Sequence, residues 1–98
     1  MKKKTLQKSS SSFHAVARSS LEPVCQAFPA LMRERREKLG LSLKELARRS
    51  RLSRQAVTLV ERAQRVPGLD TVARLGHALE TTSWQLLRQA ERRAHARW

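Results

Sequence analysis

The segment from Ser42 to Val60 constrains the fold more than any other part of the chain. Ser42 stands three residues before Glu45, the spacing of a capping box, so a helix is expected to start at Leu43. Leu43, Leu46 and Ala47 give that helix an apolar side, and Ser50 lies near its end. Ser53 is a second good N-cap, and behind it Ala56, Val57 and Val60 mark an inward stripe, which predicts a further helix over about 54–62. Only Arg51, Leu52 and Ser53 separate the two. Two helices joined by so short a link, with the small Ala47 at the crossing, form a helix-turn-helix unit.

The flanking sequence is helical as well. Phe28, Leu31, Met32 and Leu39 lie on one helical stripe, with Arg35 as its gap. Pro29 is expected in the first turn of that helix, where a missing N–H does no harm, and Gly40 is a natural stop. Residues 21–27 leave room for a short extra turn. Pro67 and Gly68 break the chain, and Leu69 or Asp70 opens a fourth helix with Leu69, Val72, Leu75, Ala78 and Leu79 inward. After a polar break at Thr81–Ser83, a fifth helix carries Trp84, Leu87, Ala90 or Glu91, and Ala94. No alternating run long enough for a strand is present. The expected fold is all-α, a compact five-helix domain over 21–94, preceded by a disordered basic tail over 1–20 and ending in 95–98.

Charge narrows the function. The chain of 98 residues carries 21 Lys+Arg against 8 Asp+Glu, a formal net charge of +13. Residues 1–20 hold five bases and no acid; residues 33–65 hold eleven bases and four acids. A small basic domain of this kind meets a polyanion. No apolar run approaches the ~20 residues of a membrane span. The N-terminus lacks an apolar secretory core, and the single Cys25 excludes an internal disulfide, so the expected location is the cytoplasm.

The stretch REKLGLS, then KELA, then LSRQAV, then VERAQRVPGLDTVARLGHAL resembles the Cro/lambda-repressor helix-turn-helix family, often called Xre-type regulators. The resemblance covers about residues 28–88 and implies sequence-specific binding of duplex DNA. The chain departs from the family pattern at Arg51 and Ala63, where glycine is usual, and at Leu43, where glutamine is usual. By matched motif position, the recognition helix would present Arg54, Gln55, Thr58 and Leu59 to base edges. Arginine's forked donors fit guanine, and glutamine's donor and acceptor fit adenine. Phosphate contacts are expected from Ser42, Arg51, Ser53, Arg62 and Arg65, and a structural ion pair from Arg36 and Glu61.

Other chemistries find little support. His14, His77 and His95 are scattered and Cys25 has no partner at ligand spacing, so neither a metal, a cofactor nor an enzymatic centre is expected. The expected function is a transcriptional regulator, most simply a repressor acting by promoter occupancy. It would be localised at the nucleoid through its DNA. The alternative is an antitoxin that binds a toxin protein and represses its own operon. A homodimer is expected on two half-sites, with Ala90, Ala94 and Trp98 continuing the stripe of the fifth helix as the candidate seam.

Overall fold

In the computed structural model, which describes residues 21–95, α1 spans Pro23–Lys38, α2 Leu43–Ser50, α3 Arg54–Glu61, α4 Leu69–Ala78 and α5 Ser83–His95. No strand occurs among the described residues. The expected disordered tail over 1–20 and the terminal Trp98 lie outside them. α1 packs along α5, α2 crosses α3, and α4 closes the bundle against α2 and α5. Phe28, Leu31 and Met32 of α1 meet Leu46, Val57, Val60, Val72, Leu75 and Leu86 in one core.

Both serine caps form. Ser42 Oγ accepts the N–H of Glu45 at 3.0 Å, and Ser53 Oγ accepts that of Ala56 at 3.0 Å. The return arm of the expected capping box is absent, because the Glu45 carboxylate turns along its helix to Arg48 and Arg49. Those two guanidinium groups hold its pKa down to about 2. At the other end of α2 the backbone turns left-handed at Arg51, with φ 60° and ψ 35°, and Leu52 N–H returns to Ala47 O at 3.0 Å. Ala63 closes α3 the same way at φ 58°. The two family glycine positions are therefore left-handed in this chain too, at a cost of roughly 1–2 kcal/mol for each side chain.

Four expectations are corrected. α1 begins at Pro23, so Pro29 lies inside the helix rather than in its first turn, and residues 21–27 are largely part of α1. Its missing N–H leaves one backbone bond unmade, while the ring is buried. Leu69, expected inward, is 84% exposed. It opens α4, and a helical side chain leans toward the N-terminus, so a first-turn residue projects past the core. Trp84, expected in the core, is 57% exposed, and the fully buried residue is Leu86. Leu86, Ala90 and Ala94 share one face at spacings of four, whereas Trp84 sits about 200° round the helix from Leu86. Ala90 and Ala94 are themselves buried in the chain's own core, so they form no seam for a second copy.

The Leu86→Ala change should cost about 2–5 kcal/mol, the price of a cavity in a closed core. Trp84→Ala, which removes only an exposed ring and its cation–π contact with Arg88, should cost less than about 1 kcal/mol. Denaturant melts compare them directly; equal losses would restore Trp84 to the core.

Candidate nucleic-acid interface

The recognition helix α3 is held from behind. Val57 and Val60 are buried, and Glu61, 4% exposed in its side chain, receives two hydrogen bonds from Arg36 of α1. Arg36 Nε lies 2.6 Å from Oε2, and Nη2 lies 3.1 Å from Oε1. The remaining fork, Nη1, donates to Leu41 O at 2.8 Å, so one guanidinium ties α1, the link before α2 and the end of α3 together. The Glu61 hydrogen bonds raise the pKa of Arg36 still further.

A second arginine sits on the same carboxylate. Arg33 stands one turn before Arg36, with Nε 3.5 Å from Glu61 Oε1 and a side chain 49% exposed. Its Nη2 also donates to the Glu61 carbonyl at 3.5 Å, and both contacts are longer than those of Arg36. The Arg36–Glu61 pair was legible in the sequence; Arg33 was missed, although its spacing of three from Arg36 puts both on one helical face.

On the outer side of α3, Arg54 and Gln55 are exposed and Leu59 is half-buried. Thr58 is half-buried too, and its hydroxyl donates to Arg54 O at 2.9 Å, which leaves it only acceptor capacity. Ser42 and Ser53 are exposed, and each spends its oxygen on a helix N–H while keeping its O–H proton for an outside acceptor.

The cations divide into two sets. Arg33, Arg36, Arg48 and Arg49 bind carboxylates, and Arg35 donates to the carbonyls of Leu79 and Glu80. The side chains of Lys38, Lys44, Arg51, Arg54, Arg62 and Arg65 make no hydrogen bond or ion pair among the described residues. These six lie at the end of α1, the start of α2, and before, at the start of and after α3. Of the region's acids, Glu34, Glu45 and Glu61 are paired with arginines and, among the described residues, only Glu37 is left without an ion pair, so the unbalanced positive charge is left around α3.

The expected phosphate contacts do not share one seat. Arg62 borders a concavity of about 250 Å³ with Arg33, Arg36, Leu43 and Thr58, at the start of α2. Arg51 borders another, of about 530 Å³, at the far end of α2 with Arg49, Arg74 and His77. Arg65 borders a third, of about 210 Å³, beside Leu21, Cys25 and Pro29. Among the described residues no cluster of His, Cys, Asp and Glu is grouped to hold a metal ion, and no helix is long and apolar enough to cross a membrane.

A capped short helix, packed at its back and ringed by unpartnered cations at its front, defines a helix-turn-helix DNA-binding domain. Residues 32–87 match the family model described as Helix-turn-helix, and the chain belongs to this Cro/C1-type family. It is similar to a solved structure of the clp gene regulator ClgR from Corynebacterium glutamicum, with a TM-score of 0.68 and 27% identity over 76% of this chain and 79% of that one. A second ClgR structure from the same organism superposes with a TM-score of 0.63 and 31% identity, over 71% of this chain and 92% of that one. No curated protein sequence matches the chain.

Arg36→Ala should lower folding stability by about 3 kcal/mol, because it leaves a buried carboxylate with only the longer, half-exposed contact from Arg33. Chemical denaturation measures it. A fully stable variant would mean that α3 is positioned by its apolar contacts alone.

Proposed function

We propose that this DNA-binding transcriptional regulator is a repressor that covers promoter DNA as a dimer, with α3 in the major groove. The observation that carries the reading is the exposed Arg54–Gln55 pair at the start of α3, flanked by cations without partners. Family membership supports DNA binding, and likeness to a clp gene regulator supports control of transcription. Arg54 and Gln55 read bases, Leu59 meets a thymine methyl, and Thr58 contributes its acceptor. Ser42, Ser53, Arg51, Arg62 and Arg65 hold phosphates.

Affinity for duplex DNA should fall with salt at a log–log slope steeper than about −3. Gln55→Ala should lose about 1–3 kcal/mol at one base position and relax the preference there, whereas Arg62→Ala should weaken all sequences alike. Binding-site selection with each variant is the test. An unchanged preferred sequence in Gln55→Ala would remove α3 from base reading.

The dimer has a different support from the one expected at the end of α5. Val66 and Leu69 are exposed beside Val24, Pro67 and Leu87, around an apolar concavity of about 170 Å³ that follows directly after α3. A second copy seated there would hold two recognition helices in a fixed relation, as paired half-sites require. Leu69→Lys should shift sedimentation toward monomer and abolish cooperative operator binding. A wild type that is monomeric on DNA would move the reading to the antitoxin, with a toxin on this surface.

A further inference from the structure

We propose that Arg33 is a backbone-phosphate contact of the DNA-bound domain, stored on Glu61 in the free protein and handed to a phosphodiester when α3 enters the groove. The inference rests on the DNA-binding reading and adds a residue that reading does not contain. Three observations carry it. Each oxygen of the Glu61 carboxylate already receives a bond from Arg36, at 2.6 and 3.1 Å, so Arg33, held only by two long contacts of 3.5 Å to Glu61 Oε1 and to the Glu61 carbonyl, is a surplus cation on a neutralised acid. Its side chain is half in solvent, whereas that of Arg36 is 13% exposed and pinned by a further bond to Leu41 O. And Arg33 shares the concavity at the start of α2 with Arg62, which has no partner among the described residues.

The charges around that concavity favour an anion by a small margin. Arg33, Arg36 and Arg62 face Glu37 and Glu61. Glu61 is cancelled by Arg36, and Glu37 is exposed at the rim, where water screens it. What remains is a pair of exposed arginine forks, one from α1 and one from the residue that caps α3, on the side of α3 that Thr58 borders. Such forks match a phosphodiester's two free oxygens. Moving Arg33 off Glu61 gives up its 3.5 Å bond to the Glu61 carbonyl but leaves the Arg36 pair intact, so the transfer does not strand a buried charge. Arg36 is a fixed structural cation by the same geometry, and Arg33 is a positioning residue rather than a base reader.

The test uses the full chain, a mixed-sequence duplex of about two helical turns, and three proteins: wild type, Arg33→Gln and Arg33→Lys. Phosphate contacts are independent of sequence, so the operator need not be known. Wild-type affinity should fall with salt. Arg33→Gln should have a slope shallower by about 0.9, so that its loss between 50 and 200 mM salt is about 3.5-fold smaller than that of wild type. Arg33→Lys should keep most of the slope, and all three should denature at the same midpoint. An Arg33→Gln protein with an unchanged slope overturns the proposal. If its midpoint also falls, Arg33 is a structural partner of Glu61. A wild type with no salt-dependent binding is a separate result, since it removes the DNA-binding reading itself and the proposal with it.

Discussion

Glu61 is the one buried ionisable residue among those described, and the placement of the recognition helix depends on it. Apolar packing of Val57 and Val60 holds α3 in the core, but the hydrophobic effect has no direction and would tolerate small rotations of the helix. The two bonds from Arg36 do have direction. They fix the end of α3 against α1, and the third bond of the same guanidinium, to Leu41 O, fixes the link from which α2 starts. A buried pair of this kind adds little net stability over an apolar alternative, so its contribution is geometric. No buried side-chain polar atom among the described residues lacks a partner, which is the condition under which such a pair is tolerable.

The turns show what the chain spends elsewhere. Gly40, Arg51, Ala63 and Glu80 all take positive φ after a helix, and only the first is glycine. Arg51 is the informative case. Glycine there would relieve strain, yet it would remove an unpartnered cation from the turn that leads into α3. Strain held at a residue in this position is consistent with a side chain kept for an outside partner. At Glu80 glycine would remove the carboxylate that lies 3.5 Å from Arg49 Nη1; nothing in the structure explains why glycine is absent at Ala63.

Much of this was legible in the sequence because the signals were local. Ser42 and Ser53 announce their helices through their own side-chain chemistry, and Gly40 ends α1 where a left-handed residue is needed. The Arg36–Glu61 pair was legible only through family resemblance, since its partners are far apart in the chain. What failed depended on tertiary choice. In α5, Trp84 and Leu87 carry far more apolar surface than Ala90 and Ala94, but the small alanines let α5 lie close along α1 and so bring Leu86 inward. In α1, Arg35 looked like a gap in the apolar stripe; it reaches across to cap the carbonyls of Leu79 and Glu80. Arg33 was hidden among many arginines, because composition cannot say which of them find a carboxylate.

The central claim is that one face of this molecule, built on α3 and the cations around it, receives DNA while the α5 face does not. Backbone and side-chain NMR shifts followed during titration with a duplex test it in one measurement. The account predicts that the largest changes fall at Ser42–Lys44, at Ser53–Arg65 and at the Arg33 guanidinium, while the Trp84 indole N–H stays in place. Changes centred on Trp84 and Arg88, with the amides of Arg54 and Gln55 unmoved, would contradict it.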